Sequence, residues 1–137
     1  MKIVQEDISI RTEKRSEMVD ITNKIVTLIA HEGITDGQVT VYCPHTTGAI
    51  TINENADPDV IHDLLLTFNE LFPKDRPGYR HVEGNSDSHC KSSLIGPSEQ
   101  ILIKDGHLVL GTWQGVYFCE FDGPRTRRVI IQISGEV

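Results

Sequence analysis

The sequence predicts a β-rich α+β fold: a mainly antiparallel sandwich or flattened barrel with two helices packed against it. Three observations predict it. Short runs rich in β-branched residues recur between turn signals along the whole chain. Only two stretches carry an apolar stripe at helical spacing. The last third reads as strands throughout, with Asp105-Gly106 between two apolar runs as a hairpin signal.

Residues 2–10 alternate loosely between apolar and polar, as a strand does, and residues 17–21 form a short second strand. Thr22 opens a helix in which Ile25, Val26, Ile29 and Ala30 share a face, and Gly33 occupies the C-terminal cap position. Asp36-Gly37 reads as a turn. Val39–Cys43 and Ala49–Asn53 are the next strands, with His45-Thr46-Thr47-Gly48 between them. Asp57 caps the second helix and Pro58 suits its first position. Ile61, Leu64, Leu65, Phe68, Leu71 and Phe72 form its expected buried stripe, and Pro73 and Pro77 end it. Residues 73–88 read as a polar loop, long enough to invite a functional role. Strands over Ile101–Lys104, His107–Leu110, Trp113–Phe121 and Arg128–Ser134 complete the chain.

With 137 residues, the chain is expected to form a single domain over residues 1–137 that needs no disulfides. Its 38% hydrophobic residues suffice for one core. No apolar run approaches the ~20 residues of a membrane span, and the first residues do not read as a secretory signal. Three cysteines without a C-x-x-C pairing fit a reducing compartment, so the expected location is the cytoplasm. A net charge of −7 argues against general nucleic-acid binding, which needs a basic face.

Against that acidic background, Arg125, Arg127 and Arg128 crowd together after Asp122-Gly123-Pro124. Guanidinium groups bind phosphate in a bidentate way, so one reading is an anion site; the other is salt bridging to Glu120, Asp122 or a neighbouring subunit. His45 with Thr46 and Thr47 is either a polar turn or a source of one imidazole and two phosphate-facing hydroxyls. Glu54 ends a strand with no capping role to explain it, unlike Asp57, and is the candidate general base. His81 and His89 bracket one polar loop at a spacing that fits no helical zinc motif. A zinc reading therefore brings in His45 as third ligand, with a solvated loop as the alternative. His31, His62 and His107 read as surface residues, Trp113 as a core or interface residue, and Gln114 as an amide that could orient a ligand.

Several stretches together resemble the YjbQ-like family, also labelled secondary thiamine-phosphate synthases. They are His45-Thr46-Thr47-Gly48-Ala49, Asn53-Glu54, Asp57-Pro58, then His81, Asn85 and His89-Cys90-Lys91. Ser98 to Gly106, Gly111-Thr112-Trp113-Gln114, Asp122-Gly123-Pro124-Arg125 and Gly135-Glu136 complete the set. The resemblance implies a jelly-roll-like sandwich assembled as a homotrimer. It also implies weak thiamine-phosphate synthase activity, in which a pyrimidine diphosphate joins a thiazole phosphate and releases pyrophosphate.

On this basis Glu54, His81 and Arg125 are the candidate catalytic residues. His45, His81 and His89 are the candidate ligands of a divalent metal, zinc or magnesium. Thr46, Thr47, Lys91, Arg125 and Arg127 are the candidate phosphate-binding residues. The expected function is an enzyme acting on a small phosphorylated or anionic metabolite. The alternative is a metal- or anion-binding module without dedicated catalysis. An open metal coordination position beside an anion pocket favours the enzyme, and a closed four-ligand site favours the module.

Overall fold

Every second residue in the long strand near the C-terminus points inward: Arg127, Val129, Ile131 and Ile133 are all buried. This strand, Thr126–Glu136, is β8, and a computed structural model covering residues 1–137 shows it hydrogen-bonded on both sides. Its neighbours are β1 (Lys2–Arg11) and β3 (Asp36–Tyr42); β5 (Ser98–Lys104) and β6 (His107–Leu108) extend the sheet beyond β3. The order is β1-β8-β3-β5-β6. A second sheet has the order β2-β7-β4, from Glu17–Asp20, Gln114–Glu120 and Gly48–Glu54. Every strand pair is antiparallel.

The fold is α+β and its core lies between the sheets. Val39, Val41, Ile101, Ile103 and Ile131 of the first sheet meet Ile50, Val116 and Phe118 of the second. Helix α1 (Thr22–Glu32) closes one end with Ile25, Leu28 and Ile29. Each such side chain, fully buried, contributes roughly 1.5–3 kcal/mol. Asp20 starts α1 by accepting from the Thr22 backbone N–H at 2.9 Å. Gly33 ends it at φ 69°, as expected for a left-handed cap. Val26, which is 45% exposed, and Ala30, also exposed, were both expected on the buried face, and Leu28 takes their place.

The Asp105-Gly106 turn forms between β5 and β6 with positive φ at both residues, 51° and 77°. Asp36-Gly37, by contrast, is not a turn but the start of β3, paired with Gly135 and Glu136. The reason is close approach: a Cβ on Gly37 would lie 2.0 Å from the Ser134 carbonyl oxygen. Here the glycine lets two backbones meet rather than letting one reverse.

The helices depart most from expectation. Helix α2 (Pro58–Leu71) starts as predicted, with Asp57 accepting from the Asp59 N–H at 2.9 Å. Its apolar stripe, however, is not buried: no residue of α2 is buried within the chain, and Leu71 is 60% exposed. Val60, Ile61, Leu64, Leu65 and Phe68 are half-buried, and Phe68 meets Phe121 edge-on at 6.2 Å. Trp113, read as a core or interface residue, is 62% exposed.

There are three helices, not two. The third, α3, covers Ser86–Ile95, within and beyond the expected loop. It carries no apolar stripe. Its inward face is Asp87, Ser88, Lys91 and Ser92, all buried. Ser88 Oγ donates to the Phe121 carbonyl at 2.5 Å and Ser92 Oγ to the Gly48 carbonyl at 2.5 Å. Asp87 accepts from Lys91 Nζ at 2.9 Å and from both terminal nitrogens of Arg15 at 3.0 Å. This helix is held by hydrogen bonds and ion pairs where α1 is held by apolar contact.

Candidate functional site

Four segments converge around the N-terminal half of α3. The β3–β4 connection brings Thr46 and Thr47, the stretch before α3 brings His81 and Asn85, α3 itself brings His89, and the β7–β8 turn brings Arg125. They line a cleft of about 270 Å³, with Glu83 and Asp122 also on its wall. The His81 and His89 rings stand at 90° with centroids 5.4 Å apart. Imidazole exchanges protons near neutral pH, so the pair suits proton transfer to or from a bound ligand.

The cleft is wired from beneath. Asp122 Oδ2 accepts from Asn85 Nδ2 at 2.8 Å and from Arg125 Nη2 at 3.1 Å. Arg125 Nε also donates to the Asp122 carbonyl at 3.0 Å, while Nη1 has no partner within the chain. The Arg125 side chain is half exposed. His81 Nε2 lies 3.7 Å from Glu83 Oε2. Asp122 thus matches the Arg125 charge, and Glu83 stands beside His81.

Four candidates lie elsewhere. Lys91 is 2% exposed, and its ammonium is held by Asp87 and by Asn69 Oδ1 at 2.7 Å. Arg127 is buried against Glu120, with Nε 2.9 Å from Oε1 and Nη2 bonded to Oε2. Its Nη2 also donates to Thr47 Oγ1 at 2.8 Å, so the Thr47 hydroxyl serves the interior as well as the cleft wall. Glu54 stands at the opposite end of β4 from Thr47, roughly 20 Å of extended chain away. Thr46, Thr47, His81, His89 and Arg125 are the predicted residues that the structure brings together.

The fourth is His45. It lines a neighbouring depression of about 290 Å³ with Asp7, Ser9 and Arg128. Strand β3 stops pairing with β8 at Ile130, and the His45 ring takes over: Arg128 N–H donates to Nε2 at 3.0 Å. Accepting that bond requires an unprotonated Nε2. Burial and the Arg127 guanidinium push the His45 pKa below the usual imidazole value, against the Arg128 carbonyl 3.1 Å away. His45 therefore caps a strand edge. No three His, Cys, Asp or Glu residues of the chain are grouped so as to hold a metal ion. The three-histidine donor set does not fit a metal centre within one chain, and no step below uses one. His31, His62 and His107 are exposed, as read from the sequence.

Asn85 and Asp122 were absent from the candidate residues, although both stood in the matched motifs. Asn85 directly precedes α3, and Asp122 opens the Asp-Gly-Pro turn; a helix recognised at Ser86 would have singled out the first. Asn85 is 9% exposed, and its Oδ1 makes no hydrogen bond within the chain.

Residues 6–136 match the family described as UPF0047 protein YjbQ-like. The chain belongs to this family. The YjbQ-like relatives include UPF0047 protein YugU of Bacillus subtilis, 52% identical over 128 residues, 93% of this chain and 97% of the relative. A UPF0047 protein of Methanocaldococcus jannaschii is 53% identical over 127 residues, 93% of this chain and 91% of the relative. Among solved YjbQ-like structures, one from Clostridium acetobutylicum superposes with a TM-score of 0.92 at 51% identity, covering 94% of this chain and 99% of that one. Another, from Sulfolobus solfataricus, reaches 0.94 at 30% identity, covering 98% and 99%. The YjbQ-like fold thus holds while the sequence diverges widely. No helix here is long and apolar enough to cross a membrane.

Proposed function

We propose that this chain is an enzyme acting on a small phosphorylated or anionic metabolite bound in the His81–His89–Arg125 cleft. The observation that carries the reading is the convergence of two imidazoles, a guanidinium with an unengaged nitrogen and the Thr46 and Thr47 hydroxyls on one open cleft. Arg125 holds the anion, Thr46 donates to its oxygens, and His81 and His89 move the proton. The joining of a pyrimidine diphosphate to a thiazole phosphate, with release of pyrophosphate, falls within this class as a side reaction. The ion pair that already engages Arg125 with Asp122 favours a second reading, an anion-binding module without dedicated catalysis.

Calorimetry with pyrophosphate tests the site. Arg125→Ala is expected to weaken binding by about 1.5–3 kcal/mol, the range for a charge-assisted hydrogen bond. Unchanged affinity in a folded variant would return Arg125 to a structural role. Pyrophosphate release from the two thiamine precursors then separates the readings: His81→Gln and His89→Gln should abolish turnover in an enzyme while leaving anion binding in place.

The reading places the protein in the cytoplasm, where three free thiols remain reduced. It also makes the working form a homotrimer. The support is exposed Leu66 and Leu71 on α2, together with exposed Trp113. Light scattering at micromolar concentration should return three times the 15.3 kDa chain mass. A monomeric mass would remove the trimer and leave those apolar surfaces without an account.

A further inference from the structure

The stretch from Gly78 to Gly84, between α2 and α3, is surrounded by room. Its one backbone hydrogen bond is local, from the Tyr79 N–H to the Arg76 carbonyl at 3.3 Å, and none joins residues 80–84 to a sheet or a helix. His81 lines the histidine cleft and also two further depressions, of about 380 Å³ and 350 Å³. Val82 is 96% exposed, more than any other large apolar residue of the chain.

Unpaired polar atoms stand at both ends of this stretch. Tyr79 OH and Asn85 Oδ1 are buried without a hydrogen-bond partner. Asparagine at this position commonly caps a helix through that oxygen, yet α3 has no such cap, and the Asn85 amide donates instead to Asp122 at 2.8 Å. A buried polar group left unpaired costs free energy, so any position of the segment that pairs these atoms recovers that cost. The segment also has hinges. Gly78 and Gly84 have φ of 100° and 74°, and a Cβ on either would meet nothing within 4 Å. Glycine in such space crosses between left- and right-handed backbone without steric cost.

We propose that Gly78–Gly84 is a strap that closes over an anion held in the cleft, turning at its two glycines and carrying His81 and Val82 inward. This rests on reading the cleft as an anion site. Arg80, exposed next to His81 in the chain, adds its charge to the attraction. Closure covers Val82, gives the Tyr79 hydroxyl a partner and shuts water away from the imidazole pair. A ligand drives such a change only by binding the closed form better, and these contacts, absent from the open form, supply the difference.

The test uses the full chain and inorganic phosphate, read by hydrogen exchange and calorimetry. Saturating phosphate is expected to slow amide exchange over residues 79–84 about tenfold or more. Val82→Ser should weaken phosphate about tenfold, as expected for one valine leaving water, with Tm unchanged. At 96% exposure Val82 has almost no contact to lose in the open form, so a loss of affinity arises only in a closed one. Tyr79→Phe should weaken phosphate about three- to tenfold with Tm equal or higher, since it removes a hydroxyl unpaired when open and paired when closed. Val26→Ser, at an exposed site on α1, is the control and should leave phosphate binding as it is. Exchange over 79–84 that ignores phosphate, or native affinity in either strap variant, overturns the strap and leaves the cleft standing. A fall in Tm in either variant also overturns it, because the side chain is then already held in the open form. A native chain that binds no phosphate overturns both the strap and the reading of the cleft.

Discussion

Asp87→Asn is expected to lower folding stability by about 3–5 kcal/mol, the cost of removing one partner from a buried ion pair. Asp87 is fully buried, and the Lys91 side chain facing it is 1% exposed. Without the carboxylate, the buried Lys91 ammonium has only neutral partners, the introduced amide and Asn69 Oδ1, with the Phe121 ring centre 6.0 Å away. Urea unfolding should show the loss, and thermal unfolding a fall in Tm of roughly 10 °C or more. A variant within 1 kcal/mol of the native chain would mean that Lys91 sheds its proton or escapes. Acid supplies a second measure. Burial pushes the Asp87 pKa up, but hydrogen bonds from Arg15 and Lys91 and their charges outweigh it and hold the carboxyl below the usual range. A depressed folded pKa stabilises the fold above the unfolded value, near ~3.9, and that stability is lost as pH falls through the folded value. The native chain should weaken below about pH 4, and Asp87→Asn should lack this part of the acid dependence.

Glu120→Gln is expected to cost a similar amount, about 3–5 kcal/mol, because it strands the Arg127 guanidinium in the interior. Glu120 is fully buried and answers several donors at once: Arg127, the Thr12 hydroxyl at 2.8 Å and the Asp122 backbone N–H at 3.1 Å. Those donors tie β8, β1 and the β7–β8 turn to one carboxylate. The double change Glu120→Met with Arg127→Met should recover most of the loss, since replacing a whole buried pair by apolar groups is commonly neutral or better. Chemical denaturation of the two variants beside the native chain checks this. A double variant as weak as Glu120→Gln would show that the carboxylate's bonds to Thr12 and Asp122 matter more than its pairing with Arg127.

These two ion pairs mark the limits of what the sequence shows. Apolar periodicity exposes β8, α1 and the Asp105-Gly106 hairpin because apolar burial stabilises them. Helix α3 inverts that rule, burying Asp87, Ser88, Lys91 and Ser92, so a search for apolar stripes reads a loop. Lys91 looks like a phosphate ligand for the same reason. Arg127 was more legible than it seemed from the arginine cluster: it shares strand parity with Val129, Ile131 and Ile133, which places it inside. The stripe of α2 is correctly visible, but a stripe does not say what covers it. Thr46, His81, His89 and Arg125 come from separate segments, and chain order alone carries no information on which loops share an edge. His45 shows the converse, a strand-end residue turned by one hydrogen bond into the next depression.

The three cysteines differ sharply in their surroundings, and that difference gives the protein a chemical handle. Burial pushes the Cys119 thiol up to about 12 and raises Cys43 as well, so both stay protonated and enclosed at neutral pH. Alkylating reagents attack the thiolate. Cys90 is partly exposed and shares a depression with Tyr79, His81 and His89. A maleimide dye added to the native chain therefore has one address, on the shoulder of the histidine pair. A fluorophore there would report ligand arrival by its change in emission, with no engineered cysteine.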